Sequence, residues 1–499
     1  MSTSAITPMA KPSLRRGALT LTAASMLDFA LQLLLPVALV RLLPASAFAD
    51  YRLAWLAIGT AMAVAPLALP RSLFYFLPRT PAAQRPAYVH NTVLLLLASG
   101  AVAALLLGPW TPWLPASLRH SSGGAWFVPG FLVLWVAASL AEFLPSARGE
   151  PGRQAIVILV LAALRVGAVA VAAMSGRVEV VFAALLAYAA FQLALVLAWV
   201  WRYYRAPLLP LQYRALRLQL AYAMPFGLGS ALFLLRGQAD QWVAASLFSA
   251  SAFAAFSIGA VIMPLVALVR TSIANAISAR LSSLESHGDR VAMLRLNQRA
   301  NLAVAFALLP TLVLTAVLAE HIVTLVYTPV FLAAADVMRI NCLALLGVSV
   351  EVSTLTMVLN QGRYLLAADA VLLPAGIAAA ALGALLWGLP GAALGNTVTL
   401  AAGNAFSFWR VARVTAVPLR QLQRWHALGR VFAAAGCAAL PALLCDRAAP
   451  VHTPLAQLLL VAVVYALAYL LMLRLLGLIP QARELLGHGC GAIRKPVRE

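Results

Sequence analysis

Residues 218–256, LQLAYAMPFGLGSALFLLRGQADQWVAASLFSASAFAAF, decide how this chain is read, because they restart a pattern that the chain has already used once. A basic run, Arg202, Arg205, Arg214 and Arg217, comes first. The apolar segment that opens at Gln219 carries Pro225, Gly227 and Gly229, and holds Arg236 and Asp240 where apolar residues cost less. It ends in Ala250-Ser251-Ala252-Phe253-Ala254, the same five residues that stand at Ala45 to Ala49. Each copy follows a Leu-rich strip (Leu42-Leu43, Leu247-Phe248) and precedes an aromatic, Tyr51 or Phe256. Further on, Ala68-Leu69-Pro70-Arg71-Ser72 is echoed by Ala267-Leu268-Val269-Arg270-Thr271, and Gly152-Arg153 by Gly362-Arg363. Matches that keep one order at a near-constant offset imply an internal duplication.

At 63% hydrophobic and 10% charged, with a mean hydropathy of +0.92, the chain lies far from the soluble norm of roughly half apolar and a quarter charged. A helix needs about 20 mostly apolar residues to cross a hydrocarbon core of about 30 Å. Fourteen runs qualify: 18–42, 51–76, 89–108, 126–146, 154–174, 178–201, 219–243, 250–270, 301–325, 337–359, 364–387, 390–409, 429–446 and 454–474. The expected fold is an all-α integral membrane protein of 14 transmembrane helices, in two parallel six-helix lobes plus two extra C-terminal helices. The lobes are 1–202 and 219–412, joined by a basic linker at 203–218 and followed by spans 13 and 14 and a basic tail at 413–499. The segment from about 271 to 300, with both acids and arginines, reads as a solvated connecting helix.

A net charge of +21 would point a soluble protein toward nucleic acid, but the placement of the charges gives them another meaning. With a cytoplasmic N-terminus, seven of the 36 Lys and Arg residues (Arg41, Arg52, Arg119, Arg177, Arg236, Arg339, Arg447) fall in outer segments, and Arg71 and Arg165 lie within spans. The rest are on the inner side. This bias puts both termini in the cytoplasm and leaves no need for a nucleic-acid partner. The first run, about 25 residues long, exceeds the 7 to 15 residues of a signal-peptide core. Trp110, Trp113 and Trp126 fit an interfacial belt around the outer loop 109–125. Cys437 and Cys445 would be about 12 Å apart along a helix, too far for a disulfide. Cys342 and Cys437, in apolar spans, read as small buried hydrophobes.

An ionisable residue at the centre of a span costs about 2.5 to 3.5 kcal/mol, so each one faces protein or a water-filled cavity. Asp28, near the middle of span 1, is a site candidate or pairs with a neighbouring helix. Arg71 ends span 2, where it either snorkels to headgroups or binds a ligand, and Glu142 lies on span 4 near the same face. Arg165 sits mid-span in the fifth segment with no acid in its own span. Arg236 and Asp240, four apart, would share one helical face and either pair privately or bind a ligand. Glu351, mid-span in the tenth segment, and Asp369, near the start of the eleventh, are proton or cation candidates.

Enzyme chemistry has little support. No P-loop lysine follows a glycine, and there is no His-Glu-x-x-His, Gly-x-Ser-x-Gly or Asp-x-Asp pair. What remains is a carrier without a resident cofactor, with H+ or Na+ as the candidate coupling ion. Six spans per copy give both copies the same orientation, with a pseudo-twofold along the membrane normal and a central cavity that opens alternately to either side.

The pattern resembles the polysaccharide flippases of the Wzx type, in the MOP superfamily that also holds lipid II flippases and multidrug and toxin extrusion carriers. The resemblance rests on the two sixes plus two extra spans and on Leu42-Leu43-Pro44 ahead of Phe48 and Tyr51. Pro225 opening span 7 with Asp240 near its end, and Asn360-Gln361-Gly362-Arg363 after span 10, also fit. It implies a bacterial cytoplasmic-membrane protein that moves an undecaprenyl-diphosphate-linked oligosaccharide from the inner to the outer leaflet, alongside polysaccharide polymerase and export proteins. The cavity of such flippases is built largely by spans 1, 2, 7 and 8, which here carry Asp28, Arg71, Arg236, Asp240 and Arg270. Such flippases often have a more cationic first span than this one. A drug or cation exporter of the same superfamily and a membrane glycan polymerase or ligase are the alternative readings.

Overall fold

The computed structural model describes residues 14–112, 114–119, 124–204, 212–448 and 453–487. Lys11, Trp113, Arg205, Pro207, Pro210, Cys490 and Lys495 lie outside the described residues. Among the described residues the regular structure is helical throughout, with no strand. Among the described residues, twelve helices are long and apolar enough to cross a membrane. One of them, Gly362–Thr415, contains two expected spans: at Trp387 (φ −130°) and Gly388 (φ 65°, ψ −144°) the backbone leaves the helix and turns back. The run 337–359 falls on two shorter helices, Ala334–Val348 and Ser353–Val358. Each of the fourteen apolar runs therefore falls largely on helix, some of it interrupted, and the chain is a multi-pass membrane protein.

The chain divides into two compact units, residues 1–231 and 232–499, and the division falls inside the helix Tyr213–Gly237. In the first unit span 2 is interrupted: Ala45–Val64 ends, Leu67 (φ 45°) and Ala68 (φ 56°) take left-handed backbone, and Leu69–Arg79 follows. Span 4 is interrupted too, passing from Gly124–Ala138 through a tight turn at Ser139–Glu142 to Leu144–Ala147. Backbone groups freed by a break cannot turn to water inside lipid, so side chains must satisfy them. Gln192 Nε2 donates to Ala138 O at 3.0 Å, Gln154 Nε2 donates to Ala141 O at 3.2 Å, and Gln154 Oε1 accepts from Ser146 N at 3.3 Å. Aromatic packing holds spans 2, 4 and 6 together, with Phe127 stacked on Phe182 at 4.2 Å and Trp55 edge-on to Phe131 at 5.9 Å.

The second unit repeats these interruptions. Span 8 runs as Ala250–Gly259 and Ile262–Ser286. Span 10 breaks between Val348 and Ser353, where Asn301 Nδ2 donates to Glu351 O at 2.8 Å and Asn404 Nδ2 donates to Val350 O at 3.0 Å. The turn between spans 5 and 6 uses Gly176 (φ 69°) as the turn between spans 11 and 12 uses Gly388. Breaks at spans 2 and 8 and at spans 4 and 10 are what a duplicated unit predicts. In spans 11 and 12 the backbones touch: a Cβ on Gly383 or Gly391 would collide with the other's carbonyl, and one on Gly395 with Ala379 and Ala380. Close approach of small residues supplies packing where lipid removes the hydrophobic drive between helices. Spans 13 and 14, Trp425–Ala448 and Pro454–Leu475, pack on span 9 through Val431, Ala434, Ala435 and Leu473 against Leu302, Phe306 and Leu309.

One expectation is corrected. Residues 271–300 form no separate connecting helix; Ile262–Ser286 and Arg290–Val317 extend toward each other and meet at His287-Gly288-Asp289. Gly288 (φ 75°) makes the turn, and Asp289 Oδ1 accepts from Ala292 N at 2.9 Å, capping the second helix.

Candidate functional site

Six of the charged residues that stand out in the spans come together as three ion pairs, each between helices far apart in sequence. In the first unit Arg165 Nη2 of span 5 donates to Asp28 Oδ1 of span 1 at 2.9 Å, and Gln32 Nε2, one turn on, donates to Asp28 Oδ2 at 2.7 Å. The Arg165 side chain is 11% exposed and that of Asp28 23%. Glu142, at the break in span 4, lies close enough to feel the charges of both. The acid missing from Arg165's own span is thus supplied from span 1. Pairing is what makes the group tolerable there, since an unpaired charge in low dielectric costs several kcal/mol.

In the second unit Arg236 Nε meets Asp369 Oδ1 at 3.1 Å, and Arg236 Nη1 donates to Thr399 O at 3.4 Å. Gly403 makes room for this guanidinium, because a Cβ there would sit 2.6 Å from Nη1. The expected pairing of Arg236 with Asp240 does not form. The helix that carries Arg236 ends at Gly237, Gln238 leaves helical geometry (φ −110°, ψ 0°), and a new helix starts at Ala239, so the four-residue register is lost. Asp240 is buried and accepts from Gln241 N at 2.9 Å.

The third pair joins Arg270 Nη2 of span 8 to Glu351 Oε2. Glu351 was expected within a helix, but it lies in the break of span 10, where Asn301 accepts from its N–H and donates to its carbonyl. Behind the pair runs a chain of buried amides. Asn301 Nδ2 donates to Asn297 Oδ1 at 3.2 Å, and Gln423 Nε2 donates to the same oxygen at 2.9 Å. A small open cleft is lined by Arg270, Asn297, Asn301, Ser349, Glu351 and Thr354. Arg270 Nε is buried with no hydrogen-bond partner. Arg71, by contrast, is exposed near the start of the helix Leu69–Arg79 and takes part in no ion pair among the described residues.

All eight residues are thus placed: six in three pairs, Asp240 buried in no ion pair among the described residues but hydrogen-bonded to Asn396, Arg71 open. The residues overlooked are the amides Gln32, Asn297, Asn301 and Gln423. Asn or Gln inside or beside an apolar run was the available signal, since each must find a partner there. No group of three or more His, Cys, Asp or Glu side chains suited to a metal occurs among the described residues.

The interrupted spans and the repeated unit recur in known proteins. A family profile described as "Polysaccharide biosynthesis protein" matches residues 152–336. No curated protein sequence matches the chain. Among solved structures, a lipid II flippase MurJ in an inward closed conformation superposes with a TM-score of 0.68 at 11% identity, covering 91% of this chain and 98% of that one. An inward-facing multidrug resistance MATE family transporter of the MOP superfamily gives a TM-score of 0.55 at 14% identity, covering 80% and 99%. The chain shares its fold with these two structures, a lipid II flippase and a multidrug resistance transporter.

Proposed function

We propose that this protein is a flippase that carries an undecaprenyl-diphosphate-linked oligosaccharide, the repeat unit of an exopolysaccharide or O-antigen, from the inner to the outer leaflet of the bacterial cytoplasmic membrane. The observation that carries the reading is the charge left over after pairing. Asp28, Asp369 and Glu351 are each tied to an arginine, whereas Arg71 stands exposed and uncompensated. A cation exporter would instead use an open acid, and Glu142, exposed at the break in span 4 and in none of the ion pairs among the described residues, is the group it would have. A diphosphate needs cations in a low-dielectric site, and the guanidinium fork matches phosphate oxygens. The polysaccharide-biosynthesis match supports the same direction.

In this reading H+ or Na+ drives transport through Glu351 and Asp369, since neutralising either carboxylate releases Arg270 or Arg236. Arg165 and Asp28 hold spans 1 and 5 together, and Asp240 anchors the start of the helix Ala239–Leu247. The deciding experiment is complementation of a strain lacking its oligosaccharide flippase, with membrane protein level monitored. Restored surface polysaccharide is expected. Failure to restore it, together with proton- or sodium-dependent efflux of cationic dyes, would move the protein to the exporter class.

A further inference from the structure

The exposed face of Leu69–Arg79 carries Arg71, Tyr75 and Arg79 at four-residue spacing, so all three lie in one stripe. Arg79 folds back over Tyr75, its guanidinium carbon 4.1 Å from the ring centre, and its Nη1 donates to Tyr75 O at 3.1 Å. On the other side Tyr222 stacks on Tyr75 with ring centres 4.6 Å apart. Phe226, one turn further along the same helix, lies 5.8 Å from Tyr222 and is 64% exposed. Phe76 packs edge-on against Tyr222 at 5.7 Å and supports it from behind.

Two contacts clamp this surface. Gln219 Nε2 donates to Thr92 Oγ1 at 2.9 Å and to Ser72 Oγ at 3.2 Å. Gly227 lies against the backbone of Leu67, where a Cβ would come within 2.7 Å of the carbonyl carbon. The two helices therefore run antiparallel, with Phe226 near the level of Arg71 and Tyr222 at that of Tyr75. Consecutive left-handed residues, Leu67 and Ala68, set the rotation of the stripe. Such backbone costs about 1–2 kcal/mol per residue for side chains other than glycine, and strain of this kind gathers at ligand sites.

The second unit shows that the fold does not require this arrangement. Its break in span 8 uses ordinary right-handed backbone at Ala260 and Val261, and the stripe matching Arg71, Tyr75 and Arg79 reads Arg270, Ala274 and Ser278. Strain, aromatic rings and a second arginine thus occur together, and in the first unit alone.

We propose that Tyr222 and Phe226, bracketed by Arg71 and Arg79, bind a glycosyl phosphate: a sugar ring packs on the aromatic faces while guanidinium groups take the phosphate. The inference deepens the flippase reading and rests on it, naming where the first sugar and its phosphate dock. The occupant follows from the chemistry. Aromatic faces cover the C–H face of a pyranose, and Arg79 is preorganised by its ring contact, so little freedom is lost on binding. The charge bias puts this end of span 2 in the cytoplasm, on the side where such a substrate is made.

The test uses the full-length protein in lipid nanodiscs and two probes, a short polyprenyl diphosphate and the same lipid bearing one N-acetylglucosamine. Wild type is expected to bind the sugar-bearing probe more tightly. Tyr222→Ala and Phe226→Ala should remove about tenfold of affinity for that probe alone, while Tyr222→Phe, which keeps the ring and reports on folding, retains it. Arg71→Ala and Arg79→Ala should weaken both probes, in zwitterionic and anionic nanodiscs alike. Equal affinity of wild type for the two probes, or equal losses for both in the alanine variants, overturns the sugar platform and leaves the flippase reading standing. A loss confined to anionic nanodiscs would make the arginines a lipid-headgroup contact and overturns it too. Binding of neither probe by wild type overturns the flippase reading and the platform together.

Discussion

The first unit places an acid, Asp28, on span 1 and its base, Arg165, on span 5; the second places a base, Arg236, on span 7 and its acid, Asp369, on span 11. Spans 1 and 7 correspond in the duplication, as do spans 5 and 11, so the pair has been kept and its polarity reversed. What this position demands is a neutral bridge between two helices; which helix carries which charge is free. The pair on spans 8 and 10, Arg270 with Glu351, behaves differently. Its counterparts are Arg71 on span 2 and Glu142 on span 4, which form no pair, Glu142 sitting instead near Asp28 and Arg165. One unit locks its arginine and the other leaves it open, which puts the available cation in the first unit.

The comparison breaks most readily at Arg236. Arg236→Ala leaves Asp369 without its partner in a site where both side chains are largely buried, and removing one member of a buried pair costs about 3–5 kcal/mol. Thermal unfolding of the purified protein in detergent should register a loss of that order. The reversed pair, Arg236→Asp with Asp369→Arg, should regain most of it. No regain would mean that polarity, as well as pairing, is specified.

Next in size is the hairpin of spans 11 and 12. Gly383→Ala forces a methyl group into the Gly391 carbonyl, and overpacking of this kind costs about 1–3 kcal/mol. Gly167 in span 5 has open space around it, so Gly167→Ala should leave the melting temperature unchanged or raise it slightly. Equal losses in the two variants would show that the two hairpins pack alike, contrary to the contacts described.

A smaller loss is expected for Asp28→Asn, about 1–2 kcal/mol in the same melt. An amide still accepts from Arg165, and Gln32 shares the site. If this variant proved as damaging as Arg236→Ala, the two bridges would be equivalent in strength.

Stability should change least at Arg71, where Arg71→Ala costs under about 0.5 kcal/mol. Transport by the same variant, read by complementation, should nevertheless fall roughly ten- to a hundredfold, the equivalent of one charge-assisted bond. Arg270→Ala should lose both stability and transport because it strands Glu351. Lys at either position should restore only part of the activity, since an ammonium cannot match the fork. Full transport by Arg71→Ala would remove it from the site.

Hydropathy is a property of contiguous residues, so the apolar helices and the duplication were legible along the chain. So were the odd residues, Asp28, Arg71, Arg165, Arg236, Asp240, Arg270, Glu351 and Asp369, because a charge in an apolar run is conspicuous wherever it occurs. Their partners were not. Asp28 and Arg165 are 137 residues apart, and which helices come side by side depends on packing that no local pattern encodes. Only the fold brought them together. The same holds for Arg236 and Asp240, where a helical register predicted a neighbour and a single non-helical residue, Gln238, removed it. The breaks themselves lie between these cases: Pro66 and Pro70 hinted at one in span 2, but those in spans 4 and 10 depend on Gln154, Gln192, Asn301 and Asn404 reaching across from other helices. In lipid a backbone can leave the helix only where such a donor waits, and that condition exists only once the helices are assembled.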